Sequence, residues 1–571
     1  MKYSIAATEG LSRFIRINAE FPVNERVTMF LQLAAWRPGR YEIANFSKNI
    51  RGFQVYSQSG EPLPFRKVTK DCWEISCEKA TGLRVSYEYY AAVLDAGSTF
   101  CGKDLLYGNP VNCLVYDPAL ADQPHELWIN VPGHYEIACA LPKKGKRLFA
   151  ANFDQLADSP FIASPALEKI TFEEGGCTFY IWIRGRHTLN TGRFVEEAKR
   201  YTREQIAVFG DIESKEYHYL YHFLPTRYHH GVEHCDSTVI VMGPGESFHE
   251  KSRHNEFLAI SSHELFHYWN IKRIRPESML PYDLTKENYS QLGYIYEGIT
   301  TYYGDYMLLR SRVFSFEDYL HELNGDLQKH FDNEGRYRYS VAESSWDTWL
   351  DGYTPGIPGR KVSIYTEGML AALMLDIEIR SATGNKKCLD DVLYDLYHLF
   401  YKKGKGYNED DFKGLAEKHG GKSFDSFFRD FYHGKGQIEK QLPDALLRIG
   451  CVLETLSSGY IHEQRYGFRF SEGQKTLVTA IQDQSPAEQG GLSIGDEILL
   501  VNNIPATQGA DWNNLFSLGG TLLAWNTVEG SKAIELMPNG KEYFQQYRIK
   551  KSAEAGEDQK AFFKAWSKWD F

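Results

Sequence analysis

Two histidines four residues apart, with a glutamate beside the first, carry the clearest chemistry in this sequence: His263-Glu264-Leu265-Phe266-His267. On an α-helix, residues four apart lie on one face, so both imidazoles can aim at a single ion. Glu264 adjoins the first of them and can reach a water on that ion. Zinc lowers the pKa of such a water toward neutrality, and a nearby carboxylate can then take its proton. Ser261 and Ser262 precede the motif, and Leu265, Phe266 and Trp269 give the helix an apolar surface. These five residues alone fit an ordinary helix with two histidines about as well as a metal site. A third protein ligand is needed, and two carboxylates compete for it: Glu287, 20 residues after His267, and Glu297, 30 after. Glu287 sits in a polar, loop-like setting (LTKENYSQ). Glu297 sits in YIYEGITTYYGDYMLL, an aromatic-rich helical pattern, where a buried carboxylate is costly unless paired or metal-bound. That burial argument favours Glu297.

The elements that must hold these groups change character along the chain. Residues 1 to about 165 read as short alternating strands (RFIRINAEF, RVTMFLQL, LRVSYEYYAAV, HELWINV) broken by Gly, Pro and Asp, which predicts a β-sandwich. After TFYIWIRG the spacing predicts a helix over TGRFVEEAKRYTREQIAVFGD, then two strands, EYHYLYHFL and STVIVM. From about 256 to 450 helical patterns dominate, among them FLAISSHELFHYWNIKR and YTEGMLAALMLDIEIRSATG. Short strands return from about 455 to 550. The tail ends FFKAWSKWDF, where Phe562, Trp566 and Trp569 share one helical face.

The stretch HELFHYWNIKRIRP followed by EGITTYYGDYMLLR strongly resembles the glycyl aminopeptidase family of PDZ-containing zinc metallopeptidases, gluzincins related to the aminopeptidase N group. LAAWRPGRYEIANFSKNI at 33–50, GVEHCDST at 231–238, SSWDTW at 344–349 and SIYTEGMLAALMLDIEIR at 363–380 extend the likeness along essentially the whole chain. The resemblance implies one Zn²⁺ per chain on His263, His267 and Glu297, with Glu264 as general base. It implies that Glu233, in the segment Gly231-Val232-Glu233, binds the α-amino group of a peptide, and that Tyr365 donates a hydrogen bond to the developing oxyanion. Two positions depart from the family pattern: Glu367 stands where the Tyr motif has Lys, and His230 where the Glu motif has its first Gly. Thr301 and Asp305, one and two turns beyond Glu297, are candidates to orient a ligand. The five histidines at 218, 222, 229, 230 and 234 read as ordinary strand residues, and Lys272, Arg273 and Arg275 as a structural clamp.

Tyr466-Gly467-Phe468 resembles the carboxylate-binding loop of PDZ domains, and SPAEQGGLSIGDEILLVNNIP at 485–505 matches the later part of such a domain. PDZ domains hold chain ends by adding a strand to a sheet edge. A C-terminal peptide is the expected ligand there.

The reading is therefore a multidomain α+β chain: an N-terminal β-sandwich (1–165), a thermolysin-like, mostly helical zinc peptidase domain (166–454), a PDZ domain (455–550) and a tail (551–571). The expected activity is removal of small N-terminal residues, Gly or Ala, from peptides with a free N-terminus. A zinc endopeptidase with the same site, or a PDZ scaffold that has lost catalysis, are the alternatives. In a chain of 571 residues, 43% hydrophobic and 24% charged residues exclude a disordered or fibrous protein, and a net charge of −11 argues against nucleic-acid partners. Nine scattered cysteines without CxxC argue against a disulfide framework and fit a reducing compartment. The first residues carry no apolar signal core and no run is long enough to span a membrane, so the expected location is cytoplasmic, or periplasmic or exported if a leader has been removed. Oligomeric state is not legible.

Overall fold

The computed structural model describes residues 1–8, 13–354, 356–517 and 520–571. Alternating burial along the N-terminal strands produces a β domain. Phe14–Pro22 alternates strictly between buried and exposed positions, and its inward Ile15, Ile17, Ala19 and Phe21 are almost fully buried. It lies within a seven-stranded sheet beside Lys2–Ala7 and Gly82–Tyr90. A three-stranded sheet (Thr28–Gln32, Cys72–Ser76, Phe65–Thr69) and a four-stranded sheet through Phe161–Ser164 and Leu105–Gly108 complete the domain. Met29, Leu31, Trp73 and Ile75 share one apolar cluster with the inner face of the large sheet.

The central body starts with a mixed five-stranded sheet. Its order is Glu168–Glu174, Cys177–Arg184, Glu216–Phe223, Ser237–Gly243, Tyr228–Glu233. The helix Thr191–Phe209 joins the second and third strands, which run parallel, as a parallel pair requires. Tyr228–Glu233 pairs only with Ser237–Gly243 and forms the edge of the sheet. Helices Lys251–Phe266, Thr300–Arg310, Phe316–Asp332 and Ile364–Thr383 come next. The last is buried nearly throughout, in keeping with its all-round apolar sequence.

The PDZ fold has a small core of its own: Tyr466, Phe468, Val478, Ile498, Val501, Leu523 and Trp525. The strands flanking it, Cys451–Leu456 and Gln546–Lys551, pair with each other. Cys451 and Ile549 join the central core, as do Phe563 and Trp566 of the final helix Glu557–Ser567. The Trp566 indole donates to the Tyr302 hydroxyl (3.0 Å) and the Trp569 indole to the Leu309 carbonyl (2.9 Å). The final helix thus packs on the central domain through the apolar face seen in its sequence. All nine cysteines are free. Among the described residues no helix is long and apolar enough to cross a membrane.

Candidate metal centre and peptide cleft

The helix Lys251–Phe266 carries His263 and Glu264, and His267 caps its C-terminus. The helical pattern in the sequence continues past this point, but the chain turns out of it. Ile271 adopts φ 100°, a left-handed conformation strained for a β-branched residue, and it is 1% exposed. The turn places the Asn270 carbonyl where His267 Nδ1–H donates to it (2.9 Å), which leaves Nε2 of His267 facing the cleft. Asn270 also donates through its amide to the Ile295 carbonyl (2.9 Å) and Thr300 Oγ1 (3.0 Å), tying this turn to the segment that bears Glu297. Nothing in the sequence marked Asn270; a partner that acts through its backbone carbonyl has no residue-type signature.

Glu297 lies in a single π-helical turn, Tyr294–Ile299, that runs directly into the helix Thr300–Arg310. Such turns recur at functional sites because they rotate one side chain out of helical register. His263 Nε2 and His267 Nε2 are 3.0 Å apart, and His267 Nε2 is 3.3 Å from Glu297 Oε2. The ligand atoms of all three residues lie within 4.8 Å of one another. Four-coordinate zinc, with bonds of about 2.0–2.1 Å, spaces its ligand atoms about 3.3 Å apart, so these two imidazoles and one carboxylate fit it in donor type and spacing. Glu287 is outside this group.

The electrostatics agree. Burial, reinforced by His267, holds the His263 imidazole well below its usual pKa, so it presents a lone pair. At His267 burial acts downward, but the Glu297 carboxylate outweighs it and raises the pKa to about 10: the pocket stabilises positive charge at this nitrogen. Glu264 is 6% exposed, and its Oε2 is buried with no hydrogen-bond partner. Burial pushes its carboxyl up to about 8, against the pull of His267 and with the help of Glu233 and Glu297.

The edge strand crosses directly over Glu264. A methyl on Gly231 would stand 2.2 Å from Glu264 Oε1, so only glycine permits this approach. Glu233, two residues on and 5% exposed, shares that face, and its carboxylate lies with Glu264 and His267 in a second group within 4.8 Å. Val232 points the other way into an apolar cluster with Trp182 and Val239, and it does not line the cleft. His230 lines the same cleft, and its Nδ1 accepts the Ala96 N–H of the β domain (3.3 Å), so it ties the edge strand to that domain.

Tyr365 begins the long buried helix and lines the same cleft of about 650 Å³ as His263, Glu264, His267, Glu297 and Glu233. It is 37% exposed along the cleft, while burial at its hydroxyl end and the Glu297 carboxylate hold the phenol well above its usual pKa. Glu367 turns inward and accepts from His330 Nδ1 (2.5 Å). Thr301 donates only to the Glu297 backbone carbonyl (2.9 Å), and Asp305 lines the cleft further out. Lys272 and Arg273 pair with Asp158 (3.0 Å) and Asp236 (3.1 Å), the clamp read from the sequence.

In the PDZ domain, Tyr466 and Phe468 are buried in the core and Gly467 sits at φ 72°. The Gly467 N–H donates to the Glu463 carbonyl (3.1 Å), and its carbonyl accepts from Gln482 N–H (2.9 Å). Phe470, on the strand Phe468–Ser471, packs its ring against that of Trp512 with centroids 4.5 Å apart, so this strand touches the short helix Trp512–Leu515.

Comparison with known proteins finds three family models that match parts of the chain. Residues 2–165 match the peptidase M61 N-terminal domain, residues 256–371 the M61 glycyl aminopeptidase family, and residues 456–513 the PDZ domain. The crystal structure of an aminopeptidase N family protein from Idiomarina loihiensis is similar over 99% of both chains, with 25% identity and a TM-score of 0.91. A crystal structure of an M1 zinc metallopeptidase from Deinococcus radiodurans aligns over 76% of this chain and 93% of that one, at 15% identity and a TM-score of 0.48. None of the curated proteins compared matches the chain.

Proposed function

Because the chain carries both the N-terminal and the catalytic segments of the M61 glycyl aminopeptidase family, followed by a PDZ domain, we propose that it is a zinc-dependent aminopeptidase that releases small N-terminal residues, glycine and alanine, from peptides. The observation that carries the reading is the convergence, within 4.8 Å, of the His263, His267 and Glu297 donor atoms, with the Glu233 and Glu264 carboxylates equally close to His267.

His263, His267 and Glu297 would hold one zinc ion, which supplies a Lewis acid and an acidified water. Glu264 is the general base: buried, with one oxygen unpartnered and its pKa raised, it takes a proton readily and then delivers it to the leaving amine. Glu233 pairs with the substrate α-ammonium. That pairing admits a free N-terminus and stops the chain from sliding further, which confines cleavage to the first peptide bond. Tyr365 stays protonated and donates to the oxyanion that develops on the scissile carbonyl. The Gly39 backbone approaches the Glu233 carboxylate so closely that a methyl there would stand 2.5 Å from Oε2. The PDZ domain would hold a distal chain end, with Tyr466, Gly467 and Phe468 shaping its loop.

The test is hydrolysis of free and N-acetylated glycyl and alanyl amides, with zinc content measured on the same protein. The expected result is cleavage of the free-amine forms alone by zinc-loaded enzyme. Equal cleavage of acetylated forms would instead establish an endopeptidase. Protein that neither binds zinc nor turns over would establish a PDZ scaffold.

A further inference from the structure

We infer that the N-terminal β domain completes the metal site, because the Tyr41 hydroxyl fixes the orientation of Glu297. The inference rests on the zinc peptidase reading. Tyr41 is a positioning residue: it touches a ligand, not the substrate.

Tyr41 is 2% exposed, and its hydroxyl donates to Glu297 Oε1 at 2.9 Å. The other carboxylate oxygen, Oε2, is the one 3.3 Å from His267 Nε2. One oxygen is thus held by a phenol from the β domain while the other is turned toward the imidazoles. A carboxylate anchored on one oxygen cannot swing its second away or present both to an ion, which is how partners behind metal ligands set geometry and affinity.

The segment that delivers Tyr41 is locked to the catalytic body before it arrives. Ala35 N–H donates to the Leu284 carbonyl (2.8 Å) and the Trp36 indole to the Asp283 carbonyl (2.7 Å). Trp36 packs edge-on against Trp349 at 5.1 Å, and Tyr41 does the same at 6.0 Å. Tyr41 N–H donates to the Tyr353 hydroxyl (3.3 Å). Two domains therefore converge on one ligand. By linkage, zinc at the site and docking of the β domain strengthen each other.

The full-length chain tests this with Tyr41→Phe and Tyr353→Phe. Zinc affinity is read by competition with a chromophoric chelator, and melting is followed with and without zinc. Tyr41→Phe should bind zinc about 10–100-fold more weakly, and zinc should raise its melting temperature less than it raises that of wild type. Tyr353→Phe, which loses the acceptor for the Tyr41 N–H and leaves the Tyr41 hydroxyl in place, should keep wild-type affinity. A Tyr41→Phe affinity within about twofold of wild type, or an undiminished zinc-induced rise in melting temperature, would overturn the inference. A purely structural hydroxyl would lower both melting curves equally. Wild-type protein without zinc affinity would strike down the zinc peptidase reading as well, whereas zinc-binding wild type with an unaffected Tyr41→Phe would strike down this inference alone.

Discussion

Gly298 and Gly368 meet backbone to backbone: a methyl on Gly298 would fall 2.4 Å from the Gly368 Cα, and one on Gly368 would fall 2.7 Å from the Gly298 Cα. Gly298 directly follows Glu297, and Gly368 lies one turn after Tyr365 on the same helix face. The crossing of these two glycines sets the separation between the proposed zinc ligand Glu297 and the tyrosine proposed to bind the oxyanion.

Gly368→Ala should therefore destabilise the enzyme even though alanine is the better helix former. Forcing a methyl into a backbone contact costs about 1–3 kcal/mol, more than the gain of up to about 1 kcal/mol in helix propensity. Gly325→Ala is the counterpart. Gly325 lies in the helix Phe316–Asp332 with nothing within 4 Å of an added methyl, and the change should stabilise by about 0.4–1 kcal/mol. Urea midpoints of the two variants should move in opposite directions, and kcat should fall only for Gly368→Ala.

Asn270→Ala should weaken both the fold and the metal site. It removes two buried hydrogen bonds, to the Ile295 carbonyl and Thr300 Oγ1, at about 1–3 kcal/mol in total. It also loosens the turn whose carbonyl holds the His267 ring. A zinc affinity reduced about tenfold is expected by chelator competition. Thr301→Ala loses only a bond to a backbone carbonyl within its own helix and should leave zinc affinity unchanged.

The contrast between Asn270 and Thr301 shows what the sequence could and could not reveal. His263, Glu264, His267 and Glu297 could be proposed from the sequence because metal chemistry restricts residue types and helical spacing, and because a carboxylate inside YIYEGITTYYG needs a charge partner; the fold does bring their side chains together. The order of strands and helices was legible from periodicity. The groups behind the ligands were not. Asn270 acts through a carbonyl that every residue has, and Tyr41 reaches Glu297 across 256 positions of sequence. Thr301, chosen by helical spacing, bonds back into its own helix. The end of the motif helix was equally hidden, because the apolar pattern of YWNI continues while tertiary contacts force Ile271 out of helical conformation.

Two buried histidines of the central strand Glu216–Phe223 should make the fold acid-sensitive. Burial, followed by the charge of Arg184 at His222 and of Lys143 and Lys169 at His218, lowers both to about 3 from an ordinary value of 6.5. The folded state therefore resists protonation that the unfolded state accepts. Stability from these groups is complete above pH 6.5 and declines as pH falls from there toward about 3, by at most about 1.4 kcal/mol per pH unit for each. His222 is fully buried and packs edge-on against Tyr107 at 4.9 Å, so His222→Phe keeps a ring there and removes one titrating group. Urea unfolding at pH 6.5 and pH 5 should show a smaller loss for this variant than for wild type. An equal loss would mean that the ring titrates normally.

The division of labour between the two carboxylates beside His267 can be separated by substrate. Glu264→Gln keeps the shape of the side chain and leaves His263, His267 and Glu297 in place. Zinc content should be unchanged while turnover of every substrate falls by about 10²–10⁴-fold, the usual yield of a general base. Glu233→Gln should instead discriminate. Losing a charge-assisted contact with the α-ammonium costs about 1.5–3 kcal/mol, or roughly 10–150-fold in kcat/KM for free glycyl and alanyl amides. Acetylated amides have no ammonium to lose, so their already poor cleavage should be unchanged or improved. A Glu233→Gln enzyme impaired equally on free and acetylated substrates would show that this carboxylate supports the edge strand rather than reading the N-terminus. The free-to-acetylated ratio isolates that role because the structural and chemical contributions of Glu264 cancel within it.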